Sequence, residues 1–431
     1  MNVLKQAQLA KEASSKLTVL PASAKNRVLL EIADAIKKNS GLILRANKKD
    51  VGKARNSGLN EVLIKRLSLD NDKINEIVEE VKNVAKLEDP VGKTLSQIEL
   101  DNGLMLYQVT CPIGVIGAIF ESRPDALLQI SALCLKSGNA VMLKGGSEAI
   151  NSNRILAKII CKTVEKNDVP KGAIQLLETR EEVSQMLKLD QYINLIIPRG
   201  SSKFVKYVQE HTNIPVLGHS EGVCHVYVDK DADTSKAIDI CFDAKCQYPA
   251  VCNAMETLLV HKDIAEKFLP LMIEKFKKAK VEIRGDNKAR RIVKDIKKAT
   301  EKDWSTEYNE LILSIRIVNN VDEAIHHINK YGSKHTDAIV TENKEAAQSF
   351  MDLVDSSSVI WNASTRFADG FRYGKGAEVG ISTAKIHSRG PVGLEGLVIY
   401  KYKLIGKGHV VKDYIGKNTR KFKHKVIKSL Y

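Results

Sequence analysis

Cys252 is the residue in this chain best placed to act as a nucleophile. It lies in Tyr248-Pro249-Ala250-Val251-Cys252-Asn253-Ala254-Met255-Glu256-Thr257, and the apolar run Leu258-Leu259-Val260 follows at once. A cysteine between a proline-marked loop and a buried strand can be partly exposed and rigidly held, as a thiolate nucleophile must be. Most cysteines are instead small core residues, so the case rests on its company. Three upstream segments suit a phosphate-bearing cofactor. Lys144-Gly145-Gly146-Ser147 offers a cation, two small residues and a hydroxyl for ribose or phosphate. Arg199-Gly200-Ser201-Ser202 precedes a helix, so its backbone amides can face an anion. Glu121-Ser122-Arg123-Pro124 carries a guanidinium able to clamp a phosphate or carboxylate. Downstream, Trp361-Asn362-Ala363-Ser364-Thr365-Arg366 suits a substrate bearing carboxylate or phosphate, and the glycine-rich 373–380 follows. No G-x-G-x-x-G or P-loop pattern is present.

These residues must be positioned by α/β elements. Residues 1 to about 90 read as helices, with Val28, Leu29, Ile32, Ala35 and Ile36 at helical spacing and breaks at Ser40-Gly41 and Asn56-Ser57-Gly58. Residues 94–108 alternate around Asp101-Asn102-Gly103, which predicts a hairpin and a candidate dimerisation arm. From 113, apolar strands alternate with helices: 113–120, 140–143 and 192–197, then 224–228, 257–260, 312–318, 337–340 and 358–360. Such alternation implies parallel sheets covered on both faces, and ligands of open sheets bind past the carboxyl ends of the strands. A late strand is expected at 396–404.

The 431 residues suffice for two or three domains. Seven cysteines, an odd number with no C-x-x-C pair, exclude a disulfide framework or zinc module. Cys246 and Cys252 lack a nearby partner pair at ligand spacing, so no metal is expected. The N-terminus has no apolar signal core and no stretch approaches a membrane span, so a cytoplasmic protein is expected. The net charge of +15 invites a nucleic-acid reading. Residues 416–431, however, hold six Lys/Arg and no acid, and most other excess lysine lies along amphipathic helices. Solvated helix faces and a frayed basic tail account for the charge, so neither nucleic acid nor membrane is expected as a partner.

Seven segments, in order along nearly the whole chain, carry a resemblance. They are IGVIGAIFESRPD at 113–125, LKSGNAVMLKGG at 135–146, LIIPRGS at 195–201, GVCHVYVD at 222–229, CNAMETLLV at 252–260, NASTRF at 362–367 and SRGPVGLE at 388–395. The chain resembles the gamma-glutamyl phosphate reductases of the aldehyde dehydrogenase superfamily, and the reductase half of pyrroline-5-carboxylate synthase. The implied fold is α/β and aldehyde dehydrogenase-like, with two parallel-sheet domains and a small β-hairpin oligomerisation arm. The implied organisation is an NADP(H)-binding domain at 1–93 and 109–223 and a catalytic domain at 224–394. The arm takes 94–108 and 395–415, and a basic tail 416–431.

The implied reaction is NADPH-dependent reduction of L-glutamyl 5-phosphate to L-glutamate 5-semialdehyde through a Cys252 thioester, the second step of proline synthesis. By position, Lys144 and Ser147 resemble the adenosine-ribose contacts; serine in place of an NAD-selecting glutamate favours a 2′-phosphate. Gly200 and Ser201 resemble the pyrophosphate-facing helix start, and Glu310 the nicotinamide-ribose carboxylate. Arg123 stands where aldehyde dehydrogenases have the oxyanion asparagine and suits a phosphate leaving group. Arg123, Asn362, Ser364, Thr365 and Arg366 are the expected substrate contacts. The general-base glutamate has no counterpart in 217–222, which protects a thioester from water; His219 there is a candidate assistant to Cys252. The resemblance implies a homodimer or homotetramer and raises contact with a glutamate 5-kinase. Two rivals remain in view: a hydrolytic aldehyde dehydrogenase, which would need no phosphate, and a nucleic-acid-binding module, which would depend on the basic tail.

Overall fold

The computed structural model describes residues 2–167, 169–219, 221–417 and 419–429. Five helices open the chain, Val3–Leu17, Ala22–Lys38, Ser40–Asn56, Glu61–Leu67 and Asn71–Lys86. Val28, Leu29, Ile32, Ala33 and Ile36 form the buried stripe of the second. Ser40-Gly41 does not interrupt the third helix; Asn39 makes the break, leaving helical geometry at φ −101°, ψ 14°.

The first parallel sheet has the strand order Ile174–Leu177, Ala140–Lys144, Val115–Phe120, Leu195–Arg199. Val115–Phe120 and Ala140–Lys144 are buried at every residue, as strands covered on both faces must be. The second sheet is parallel and seven-stranded: Lys297–Lys298, Glu282–Gly285, Ile312–Val318, Met255–His261, Cys224–Val228, Thr336–Val340, Ser358–Trp361. Its core includes Phe268, Met272 and Phe276 from the helix Lys262–Lys278. A buried ion pair, Lys245 Nζ to Glu256 Oε2 at 2.6 Å with both side chains fully enclosed, ties the helix Thr234–Cys246 to the strand that follows Cys252.

A third, antiparallel sheet stands apart in pattern. Thr94–Asp101 and Leu104–Pro112 form the hairpin around Asn102-Gly103, and Val398–Ile405 pairs with the second of them along its whole length. Its fourth strand is Lys425–Lys428, paired with Thr94–Asp101. The tail expected to fray is thus partly built into the sheet. Lys423 N–H donates to Leu100 O at 2.7 Å, and Phe422 stacks on Tyr414 with centroids 4.4 Å apart. The open edge of the hairpin supplies the unpaired backbone groups that order it. Tyr400, Tyr402, Leu404, Ile405, Val426 and Ile427 remain exposed. Among the described residues, no helix is long and apolar enough to cross a membrane.

Candidate active site

Cys252 sits, partly exposed, in the bends 248–254 just before Met255–His261. Three contacts fix its backbone. Arg66 Nη2 donates to Ala250 O at 3.1 Å, Cys224 Sγ donates to Cys252 O at 3.2 Å, and Asn253 Nδ2 donates to Ala368 O at 2.9 Å. Gly222 packs directly on it: a Cβ there would fall 2.1 Å from Cys252 O and 2.5 Å from its Cα. The nucleophile candidate is therefore clamped between the helix Glu61–Leu67 and the segments that flank strands of the second sheet.

Two histidines flank the thiol. Donor atoms of His219, Cys252 and His335 lie within 4.8 Å of one another, an arrangement that can share a proton or hold a soft metal ion. His219 Nδ1 lies 2.8 Å from Ile381 O, which assigns the proton to Nδ1 and leaves Nε2 as the lone-pair nitrogen. Burial lowers the His219 pKa, against the opposing pull of that carbonyl and of Glu307. His335 is fully buried, and its Nε2 has no partner. His335 was not anticipated; its signal in the sequence is a lone histidine directly before the buried strand Thr336–Val340.

The positive charges that Cys252 meets are Arg199 and Arg366. Burial, then the like charge of Arg123, lowers the Arg199 pKa, while Glu378, Asp125 and Cys252 oppose the fall. No carboxylate forms an ion pair with Arg199 among the described residues. Arg123 is exposed and bonded to Asp125 at 3.2 Å, so it reaches the site as the neighbour of Arg199. The segment 199–202 was read for its amides; its arginine side chain is the stronger feature. Arg366 is 8% exposed and gives Nε to Gln247 Oε1 at 3.0 Å. Around it the loop is largely self-satisfied. Asn362, at φ 52°, spends both amide atoms on the Thr341 backbone, and Ser364 Oγ accepts Arg366 N–H. Thr365 Oγ1 is buried without a partner.

The three phosphate-suited loops converge at the carboxyl ends of adjacent strands in the first sheet. Ser122 donates N–H and Oγ–H to Glu148 Oε1 at 2.6 and 2.7 Å, and Ser201 N–H donates to Glu121 Oε2 at 3.2 Å. The Ser201 amide at the start of the helix Ser202–Glu210 thus already holds an anionic oxygen, with Gly200 packed closely against the same carboxylate. Lys144 is 9% exposed, and burial lowers its pKa while Glu148 opposes. Ser147 is exposed beside it. Gly145 and Gly146 allow this close approach: a Cβ on either would strike Asn153 or Glu148 at 2.1 or 2.0 Å. Both amide atoms of buried Asn153 lack partners, leaving polar capacity at the same place.

Glu310 does not join this site. It is exposed, whereas Glu307 is half-buried, accepts Gly222 N–H and senses His219. Burial raises the Glu307 pKa. Asn309, at φ 57°, turns the chain between the two glutamates. Glu307 and Glu378 are the carboxylates whose charges act on His219.

Comparison with known proteins agrees with this architecture. Residues 1–293 match the model of the aldehyde dehydrogenase family. A gamma-glutamyl phosphate reductase of Methanococcoides burtonii is 56% identical over 430 residues, covering 97% of this chain and 96% of that one. One from Pelotomaculum thermopropionicum is 55% identical over 431 residues, covering 100% and 99%. The crystal structure of gamma-glutamyl phosphate reductase from Thermotoga maritima superimposes with a TM-score of 0.93 at 42% identity, covering 95% of this chain and 100% of that one. The chain belongs to the aldehyde dehydrogenase family and, within it, groups with the gamma-glutamyl phosphate reductases. It is accordingly an oxidoreductase.

Proposed function

We propose that the chain reduces L-glutamyl 5-phosphate to L-glutamate 5-semialdehyde with NADPH and releases phosphate, the second step of proline synthesis from glutamate. The observation that carries this reading is Cys252, partly exposed, packed against Gly222 and flanked by His219 and His335, with the charges of Arg199 and Arg366 acting on it. A thiol within the field of two guanidiniums suits an acyl phosphate better than an uncharged aldehyde.

In this mechanism Cys252 loses its proton to the lone pair of a flanking histidine; His219 Nε2 is oriented for that by the Ile381 carbonyl. The thiolate attacks the acyl carbon, the C–O bond to phosphate breaks, and Arg199 with Arg123 takes the charge of the departing phosphate. Bound NADPH supplies the hydride. The resulting thiohemiacetal collapses to aldehyde and regenerates the thiolate. Water is a poor competitor in this reading because the general-base glutamate of aldehyde dehydrogenases has no counterpart in 217–222.

The residues present fit the cofactor. Lys144 and Ser147 would hold the adenosine ribose and its 2′-phosphate, Gly200 and Ser201 the pyrophosphate in place of Glu121, and Glu307 the nicotinamide ribose. Residues 1–93 and 109–223 form the cofactor-binding domain in this reading, and 224–394 the catalytic one. The exposed apolar residues of the arm support self-association as at least a homodimer and a monomer by light scattering at micromolar concentration would refute that.

The test is phosphate-dependent NADP⁺ reduction with glutamate semialdehyde, comparing wild type with Cys252→Ala. Activity that requires phosphate and vanishes in the variant is expected. Activity without phosphate would establish the hydrolytic rival, and activity surviving Cys252→Ala would refute the nucleophile.

A further inference from the structure

We propose that the cavity between the helix Thr234–Cys246 and the segment 362–372 reads the substrate's amino-acid end as a zwitterion, with Asp243 binding the α-ammonium and Arg366 the α-carboxylate. This deepens the function proposed above and rests on it for the identity of the substrate.

The cavity has a volume of about 660 Å³. The helix Thr234–Cys246 lines one side with Asp239 and Asp243, and the segment 362–372 lines the other with Arg366 and Arg372. Two of these four charges are already paired. Asp239 bonds Lys275 at 2.8 Å, and Arg372 lies 3.6 Å from Asp369. Asp243 and Arg366 close no ion pair among the described residues, although their charges attract each other across the cavity. Gln247 separates them: its backbone N–H goes to Asp243 O at 3.2 Å, and its Oε1 takes Arg366 Nε at 3.0 Å.

A guanidinium that gives only its Nε to a protein acceptor keeps its Nη donors free for an anion in the cavity. A carboxylate facing the same space is a poor neighbour for that anion unless a cation comes with it. An α-amino acid brings both charges on one carbon. The segment 362–372 also reaches the nucleophile loop, where Asn253 Nδ2 donates to Ala368 O at 2.9 Å, so a side chain three carbons long would extend from this cavity towards the thiol. Labour is then divided among the arginines. Arg366 orients the amino-acid end, and Arg199 with Arg123 serves the phosphate end. A dicarboxylate without an amine would meet Asp243 as a repulsive wall, which makes Asp243 the specificity-determining residue.

The experiment uses two truncated aldehydes. 5-Oxopentanoate lacks only the α-amino group of glutamate semialdehyde, and 4-aminobutanal lacks only its carboxylate. Wild type should prefer glutamate semialdehyde over 5-oxopentanoate in kcat/KM by roughly ten- to hundredfold, the worth of one charge-assisted hydrogen bond. In Asp243→Asn this preference should collapse, while the preference over 4-aminobutanal should persist. In Arg366→Gln the pattern should reverse. An Asp243→Asn enzyme that keeps its discrimination against 5-oxopentanoate overturns the proposal. A second arm needs no turnover: calorimetry on Cys252→Ala should show L-glutamate binding more tightly than glutarate, with the difference lost when Asp243→Asn is added. Wild type without phosphate-dependent activity would refute the function proposed above, and the calorimetric arm would still decide the cavity's role by itself.

Discussion

Gly222→Ala isolates the clamp on the nucleophile without touching any side chain of the site. The added Cβ would fall 2.1 Å from Cys252 O and 2.5 Å from its Cα. Ordinary contact for such atoms is about 3.5 Å, so the two segments must part by roughly 1 Å. Neither is free to do so at no cost. Gly222 N–H is held by Glu307, and Cys252 O is held by Cys224 Sγ. Overpacking of this kind costs about 1–3 kcal/mol of stability. The larger effect is on geometry, since a misplacement of about 1 Å at a reacting atom lowers the rate on the order of 100-fold. The assay is kcat/KM for phosphate-dependent NADP⁺ reduction, with a thermal melt to show that the variant is folded. Gly218→Ala is the control: its Cβ would lie 3.3 Å from Pro198 O, a contact relieved by a few tenths of an ångström. A folded Gly222→Ala enzyme with the activity of Gly218→Ala would refute the claim that backbone contact positions Cys252.

Other consequences are equally direct. Arg199→Met should raise the KM for phosphate in the oxidative direction by roughly 10–100-fold through loss of a charge-assisted contact, and steady-state kinetics with an unchanged phosphate KM would count against it. Lys245→Met strands Glu256 in the core and should cost about 3–5 kcal/mol in urea unfolding; Lys245→Met with Glu256→Leu should recover most of that, and a double variant no better than the single would contradict it. His327 is enclosed, and burial, then the charges of His225 and Arg316, lowers its pKa to about 2. Its depressed pKa means that the unfolded chain takes up a proton that the native state refuses, so this stability is whole above pH about 6.5 and drains as pH falls towards 2. The difference in unfolding free energy between wild type and His327→Gln should therefore shift by up to about 1.4 kcal/mol per pH unit below that point, and a difference that stays flat from pH 7 to 5 would exclude the effect.

How far the sequence could be read depended on whether a feature was local. Strands buried on both faces announce themselves, and Cys224–Val228 and Ile312–Val318 fall where periodicity placed them. Glu282–Gly285 and Lys297–Lys298, the inner neighbour of the edge and the edge itself, did not, because strands of four and two residues with polar side chains have no pattern of their own. The strand Lys425–Lys428 was hidden by its lysines, which read as a solvated tail until the hairpin edge beside it is seen. The loops were legible as loops, and their glycines pointed to close approaches that the structure contains at Gly145 and Gly146. Which side chain faces which was less legible. Glu307 and Glu310 are three residues apart in one polar stretch, and only the turn at Asn309 decides between them.

Charge pairing is the least local property of all, and the candidate site depends on it. Asp239 and Asp243 lie one helical turn apart on the same helix and look alike in sequence. They differ because Lys275, from the helix Lys262–Lys278, reaches Asp239 and leaves Asp243 without an ion pair. Likewise Arg372 finds Asp369 within its own loop, while Arg366 feels Asp243 and Asp369 without closing an ion pair with either. A charged residue becomes a binding residue here by what fails to pair with it. That failure is set by helix packing across the second sheet, and it therefore appears only when the chain is folded.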